Sequence, residues 1–435
     1  MSHRARLRSL AVPLPAVSIP AEAADAPLVV RTRRVALPES LLDLAPPDAS
    51  VWLRRGDGMV AWGEVARVQV SGQRRFTDAS DTWQRLVSGA VIRDEVGAVG
   101  SGPVAFGSFS FADEGSSVLI VPEVVVGRRD GVAWVTTMSR GGRVPAATTP
   151  LSQDAPASPR GVHLQAGALS ETEWCAAVEQ AVERIAGGDL EKVVLARDVV
   201  ARTTDPLDVR WPLRHFAQHY PGCWTFHVDG LVGATPEMLV RLEKGLATSR
   251  VLAGTIRRTG DDEHDLALAA SLARSSKDLE EHELAVRSVA DALAHHGTLN
   301  VPETPFVLHL PNVMHLATDV AGVVHDGRGA LELVADLHPS AAVCGTPTPT
   351  AKATIAELER MDRGRYAGPV GWVDASGDGE WAIALRCAQV QDPHRLRLFA
   401  GCGIVAGSTA DDELAEADAK LTPVRDALMG GELSS

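Results

Sequence analysis

Two pairs of carboxylates stand at helical spacing. Asp278 and Glu281 are three residues apart in one stretch, and Glu413 and Glu416 are three apart in another. Residues three apart share a helix face, so each pair turns both carboxylates the same way. Two such faces meeting would make a cluster of oxygen ligands. That suits Mg²⁺, which takes one or two protein carboxylates and leaves its other positions to water or substrate. Taken singly, each pair reads equally well as a solvated helix face. Glu416 and Lys420 also have the spacing of an i,i+4 ion pair, worth about 0.3–0.5 kcal/mol on a surface. His282, His295 and His296 lack the spacing of a zinc site and read as ordinary polar or core residues.

Two further residues could handle protons. Lys192 stands at the start of an apolar run, residues 193–196 (VVLA). A lysine at the mouth of a buried strand can serve as a base if desolvation or nearby cations lower its pKa; otherwise it is a snorkelling surface residue. Glu237 lies in residues 233–239 (GATPEML), a turn opening into an apolar run. A partly buried carboxyl there would hold its proton toward neutrality, as a general acid needs. The alternative is a glutamate favoured by a helix N-terminus. Phosphate-loop readings fail. Residues 345–354 lack the required lysine pattern, and Gly401-Cys402-Gly403 is a lone G-x-G after a strand. Glycines there more plausibly let backbone N–H groups approach a carboxylate.

The elements that must position these groups divide at a linker. Residues 28–150 read as strands and turns, with alternation around glycines in 104–111 and a β-branched run in 117–126. Residues 144–161, rich in Pro, Ala, Thr and Ser, read as a linker or long surface loop. Beyond it, Ser170 and Glu173 form a capping box. Trp174, Ala177, Val178, Ala181, Val182 and Ile185 then recur at helical spacing, and Gly187 and Gly188 stop the helix. The pattern predicts a short buried strand at 192–196 and one long helical region from 265 to 296. It predicts an irregular stretch at 336–346, strands at 369–373 and 381–388, and a final helix from Asp412. Strands and helices mix without regular alternation, which favours an α+β fold.

The 435 residues can bury a large core. Length alone suggests two or three domains, although one sheet-rich unit can run to this size. No stretch approaches the roughly 20 apolar residues of a membrane helix. The net charge of -14 argues against a nucleic-acid partner, which needs a basic patch. It leaves an anionic substrate open, because local cations decide attraction. Five cysteines, an odd count without a C-x-x-C pair, imply small buried thiols in a reducing, cytoplasmic compartment. Arg4, Arg6 and Arg8 followed by apolar residues imitate a signal peptide, but Pro13, Pro15 and Pro20 interrupt it. Residues 1–27 are therefore expected to be a flexible tail, 28–160 a strand-rich first part and 161–435 the catalytic part of one compact unit.

Together and in order, these signals resemble the chorismate-utilising enzymes: the isochorismate, salicylate, anthranilate and aminodeoxychorismate synthases. The matching stretches are residues 191–197 (EKVVLAR), 234–239 (ATPEML), 252–255 (LAGT), 276–284 (SKDLEEHEL) and 337–339 (LHP). They continue with 366–372 (YAGPVGW), 377–381 (GDGEW), 400–404 (AGCGI) and 413–416 (ELAE) with Lys420. The resemblance covers roughly residues 165–425, and more loosely 102–109. It implies two packed antiparallel β-sheets surrounded by helices, with the site in a cleft, in a protein that acts as a monomer on the small molecule chorismate.

The resemblance also implies roles. Mg²⁺ would join Glu281 and Glu416 to the ring carboxylate of chorismate, with Asp278 and Glu413 in support. Lys192 would deprotonate a water that attacks C2, and Glu237 would protonate the C4 hydroxyl as it leaves. Arg386, Tyr366 and the backbone N–H of Gly401 would hold the enolpyruvyl carboxylate. Lys420, His338, Thr255 and Ala342 would complete the substrate pocket.

Lys192 supplies the base that a water nucleophile needs. The ammonia-using relatives carry glutamine there, and the aminodeoxychorismate enzymes place a nucleophilic lysine where this chain has Ala253. The 337–339 stretch with Ala342 and Val343 looks like the isochorismate type, whereas the salicylate type tends to carry threonine at Ala342. Salicylate synthesis with loss of pyruvate stays as an alternative, and so does a non-catalytic chorismate-binding homologue. Two positions depart from the family pattern: Ala417-Asp418 follows the second metal glutamate, and Leu414 stands where an aromatic is common. Whether the product feeds menaquinone, siderophore or salicylate synthesis is not written in these residues.

Overall fold

The computed structural model describes residues 16–18 (backbone), 26–141 and 151–430. Most of the expected tail, and residues 144–150 of the expected linker, lie outside the described residues. Within the tail, Ala16–Ser18 pairs antiparallel with Ala66–Val70.

Two large sheets pack face to face, one of 11 strands and one of 13. Pairing is antiparallel except where Leu28–Arg34 runs parallel to the edge strand Val91–Asp94. Each sheet mixes strands from before and after the linker. Val104–Ser108 pairs with Pro369–Asp374 in the smaller sheet, and Ser50–Arg54 pairs with Trp224–Val228 in the larger. The inner faces share one apolar core, with Phe106, Trp134, Phe226 and Trp381 almost wholly buried. Burying aromatic faces on this scale is the main favourable term holding the layers together.

Among the described residues, eight α-helices flank the sheets: α1 (Arg75–Ser88), α2 (Glu171–Ala186), α3 (Arg210–His219), α4 (Asp262–Leu272), α5 (Ser276–Ala294), α6 (Ala330–Leu337), α7 (Thr348–Leu358) and α8 (Ala410–Met429). The capping box at the start of α2 is present, with Glu173 N–H donating to the Ser170 side chain and Glu173 returning to the Ser170 N–H. Trp174 then buries its ring and donates from Nε1 to Ala196 O at 3.2 Å, tying α2 to the strand that begins at Lys192.

Three expectations need correction. The helical region 265–296 is two helices, because Ser275 accepts from Asp278 N–H and so starts α5 afresh after α4. The run 117–126 is two strands, Ser117–Val121 and Val124–Arg129, which belong to different sheets and cross between them at Pro122 and Glu123. The stretch 381–388 is likewise split between Gly379–Ile383 and Cys387–Asp392, with Arg386 at φ +49° in the bend. In the two strand cases a largely apolar run concealed a change of direction; in the helical case a polar junction at Ser275 was read through. The predicted strand at Lys192 is instead longer than expected, Lys192–Arg202.

All five cysteines are unpaired, and four are buried. Among the described residues, no helix is long and apolar enough to cross a membrane.

Candidate active site

The strand Lys192–Arg202 pairs with Arg395–Ile404 along one side. Its other side meets short strands at each end, at residues 192–193 and 199–202. The gap between would strand buried backbone groups. A buried ion pair fills it: Glu359 accepts from Ala196 N–H at 2.7 Å, and Arg363 donates to Val194 O at 2.8 Å and to Val343 O at 2.8 Å. The same arginine grips Glu359, with both side chains almost fully buried. This clamp fixes the strand on which Lys192 sits.

Lys192 is wholly buried, with Nζ 3.0 Å from Glu281 Oε1 on α5. The contact is an ion pair without the alignment of a directed hydrogen bond. Glu281 feels the same contact. Burial pushes its carboxyl up, but Lys192 and then Lys420 outweigh that and hold it below the ordinary value. Gly403 makes the approach possible: a Cβ there would stand 2.0 Å from Glu281 Oε1 and 2.9 Å from Lys192 Cε. The glycine pair at 401–403 therefore makes room for the protein's own carboxylate.

Glu237 lies between Leu231–Thr235 and Met238–Glu243, with no helix beginning there. Its N–H donates to Thr235 Oγ1 at 3.3 Å and its carbonyl accepts from Ile383 N–H at 3.2 Å. Burial pushes its carboxyl up to about 7, against the opposing pull of the Leu252 N–H and the charges of Lys192, Arg386 and Lys420.

Arg386 donates from Nη2 to His315 Nε2 at 2.9 Å. Because arginine only donates, Nε2 must accept, and the ring proton is on Nδ1, facing Gly254 O at 3.3 Å and Thr255 Oγ1 at 3.1 Å. Burial and the Arg386 charge hold His315 neutral. Tyr366 stacks on Phe399 with centroids 5.0 Å apart and an interplanar angle of 9°. Its hydroxyl lies beside Gly401, where a Cβ would come within 3.1 Å of it.

Glu237, Thr255, Glu281, Ala342, Tyr366, Arg386, Gly401 and Lys420 all line one recess of about 570 Å³ of empty space. Its polar wall is set among Val194, Leu252, Val343 and Leu385, the usual balance for a small-ligand site. His338 does not join them. Its ring packs against Phe76 and Phe111, each with centroids 5.8 Å away, and Nε2 bonds Phe111 O at 3.1 Å. Burial pushes it down to about 3, so it is a neutral core residue. The turn after it brings Ala342 and Val343 to the cavity wall in its place. His282 is also core, bonded to Thr318 Oγ1 at 2.8 Å.

The remaining carboxylates gather around Glu281. Glu416 contacts Lys420 one turn on along α8. Glu413 accepts from Lys277 Nζ at 2.8 Å and Ser408 Oγ at 2.6 Å. Cys402, Glu413 and Glu416 each bring a ligand atom within 4.8 Å of the others. Asp278 packs under Gly254, whose φ of +74° and missing Cβ admit it. Burial and then Glu281 and Glu416 push Asp278 up, and burial and then Glu416 push Glu413 up. Carboxylates from α5 and α8 thus repel one another across a shared space, a strain that a divalent cation relieves. The donors are hard oxygens, which fits Mg²⁺; burial keeps the softer Cys402 thiol protonated.

The sequence reading missed His315, Lys277 and the Glu359–Arg363 clamp, and it expected Gly403 to bring a backbone N–H to a carboxylate, where it makes room for Glu281. His315 had the same signal as Lys192, a polar residue inside an apolar strand. The departures at Leu414 and Ala417 are absorbed by packing, and Asp418 pairs with Arg197 at 3.1 Å.

A family model described as chorismate binding enzyme matches residues 51–429. The isochorismate synthase DhbC of Bacillus subtilis is 43% identical over 256 residues, which cover 56% of this chain and 64%, just under two thirds, of that one. The salicylate biosynthesis isochorismate synthase of Pseudomonas aeruginosa is 34% identical over 397 residues, covering 85% of this chain and 82% of that one. Among solved structures, DhbC of Bacillus anthracis superposes with a TM-score of 0.75 at 31% identity, covering 89% of this chain and 98% of that one. With the fold, the cavity and these matches agreeing, the chain belongs to the family of chorismate-binding enzymes.

Proposed function

We propose that this protein is an isochorismate synthase, an Mg²⁺-dependent cytoplasmic isomerase that moves the hydroxyl of chorismate from C4 to C2. One observation carries the reading: a buried, proton-holding Glu237 and Arg386 line one cavity, and buried Lys192 reaches that cavity's wall residue Glu281 at 3.0 Å. Glu281 and Glu416, supported by Asp278 and Glu413, would hold Mg²⁺, which supplies positive charge to bind and polarise the ring carboxylate.

The chain's own groups do the rest. Arg386, oriented by His315, faces the cavity and suits the planar enolpyruvyl carboxylate. Tyr366 and Gly401 border the same position. Lys192 takes a proton from the water that attacks C2, with Glu281 at hand to stabilise the returning ammonium. Glu237 gives its proton to the departing C4 hydroxyl, and its pKa near neutrality lets it be protonated before the step and regenerated after it. Ala342, small and apolar at the wall, fits release of isochorismate without further conversion. The five unpaired cysteines support a reducing compartment.

The test is product analysis with chorismate, with Mg²⁺ and then with EDTA. Metal-dependent isochorismate in an incomplete equilibrium, without salicylate or pyruvate, is expected. Salicylate with pyruvate would overturn the product assignment, and no metal-dependent product would overturn the enzyme reading.

A further inference from the structure

Helix α3 ends in a pair of histidines. His215 and His219 stand four residues apart, so both rings lie on one face of the helix. The rings stack, with centroids 4.1 Å apart and an interplanar angle of 24°. His219 is exposed and His215 half-buried.

Both rings offer a lone pair. Burial, and then the charge of His219, push His215 down to about 4, so its imidazole is neutral. Among the described residues, the His215 ring makes no ion pair or hydrogen bond. His219 turns Nδ1 to His215 O at 2.9 Å. A carbonyl only accepts, so Nδ1 carries the proton and Nε2 of the neutral ring is left as the acceptor. This is how a metal-ligating histidine is held: its second ring nitrogen donates to a carbonyl, which fixes the tautomer and the ring orientation.

A carboxylate comes from α8. Asp426 faces the end of α3, where its charge bears on both His219 and Tyr220. Burial pushes its carboxyl up, against the charges of Arg425 and His219. Among the described residues, its side chain makes no ion pair or hydrogen bond. The two helices are fixed in register beside it, because Trp211, one turn before His215, donates from Nε1 to Ala427 O at 3.0 Å. Two nearby cations are already spent, Arg214 on Asp43 at 2.8 Å and Arg210 on Asp208 at 2.6 Å. The last turn of α3 also favours positive charge through the helix dipole.

Two imidazole lone pairs and a carboxylate suit a borderline divalent ion, which binds nitrogen and keeps water in its fourth position. Mg²⁺ prefers an all-oxygen shell and is a poor match. We propose that His215, His219 and Asp426 form a Zn²⁺ site, separate from the carboxylate cluster of α5 and α8, that staples α3 to α8. This does not rest on the catalytic reading above.

The probe is Zn²⁺, titrated calorimetrically into the full chain with Mg²⁺ in excess. Wild type is expected to bind one Zn²⁺ equivalent that Glu416→Gln retains, because Glu416 belongs to the other cluster. His219→Ala and His215→Gln should each weaken that equivalent by at least about tenfold, and Asp426→Asn should weaken it by less. Zn²⁺ should raise the melting temperature of wild type but not of His219→Ala. His219 is exposed, so His219→Ala without Zn²⁺ should keep the wild-type melting temperature and chorismate turnover; this separates a lost site from a lost fold. No Zn²⁺ equivalent in wild type would overturn the proposal. So would an equivalent lost in Glu416→Gln but kept in His219→Ala, or one that no change at His215, His219 or Asp426 weakens.

Discussion

Lys192 and Lys420 approach one carboxylate cluster from two sides, and they are held differently. Lys420 lies four residues after Glu416 on α8, contacts it, and donates to Gly401 O at 3.0 Å. Burial disfavours its charge, but Glu416 outweighs that and holds the ammonium above its ordinary value. Lys192 enters from a strand, meets only Glu281, and has no directed hydrogen bond. The first lysine is a fixed cation; the second, held by one carboxylate contact, is the proposed base. Lys192→Ala should therefore cut turnover by about 10³-fold, within the range of general base catalysis. Mg²⁺ should bind it at least as tightly as wild type, since no ammonium then competes for Glu281. Lys420→Ala should instead raise KM and lower stability by about 1–3 kcal/mol, because Glu416 and Gly401 O lose their partner. Steady-state kinetics, metal calorimetry and thermal melts read the contrast, and identical losses in both variants would break it.

Glu237 sharpens the comparison, since a proposed base on one side needs a proton donor on the other. Its carboxyl titrates at about 7, so the acid form is depleted as pH rises through neutrality, and kcat should fall there. Glu237→Gln should lose on the order of 10²-fold in kcat, with that alkaline limb flattened. Stability also falls as pH rises, across a lower window. The folded pKa lies above the ordinary 4.5, so the folded state binds more protons between pH 4.5 and 7 and loses stability across that window. The gap corresponds to roughly 3 kcal/mol at pH 8. The glutamine variant should therefore melt higher than wild type at pH 8 and about equally at pH 4. A variant that is both active and no more stable would remove Glu237 from the mechanism.

The two lysines also differ in how far the sequence announced them. Lys420 and Glu416 share a helix turn, so their contact was legible from spacing alone. What spacing could not reveal was burial, which turns a marginal surface pair into a fixed cation. Lys192 and Glu281 are 89 positions apart in sequence, and only the sheet and α5 together bring them to 3.0 Å. The two packed antiparallel sheets were expected from the family resemblance, and the family match and the superposition bear that out. The strand breaks at Pro122 and Arg386 were not foreseen, because apolar runs look alike whether or not they change sheets. His338 was misplaced for a related reason. A histidine beside a proline is silent about which way its ring turns, and an aromatic slot between Phe76 and Phe111 took it.

Gly403 offers the smallest perturbation of the comparison, because it touches one lysine's partner and leaves the other pair alone. A Cβ at Gly403 would fall 2.0 Å from Glu281 Oε1, the far end of a flexible side chain. The carboxylate can swing away, so Gly403→Ala should fold normally while displacing a metal ligand and loosening the Lys192 contact. No charge is removed, and Lys420 keeps both Glu416 and Gly401. Misplacing a ligand without deleting it costs about 10–100-fold in metal affinity in comparable sites. Mg²⁺ titration of Gly403→Ala should show a loss of that order. Much of kcat should return at saturating Mg²⁺, as it would not in Lys192→Ala. An unchanged metal affinity would mean that Glu281 need not lie beside Lys192 to bind the ion, and the two lysines would then differ in position but not in role.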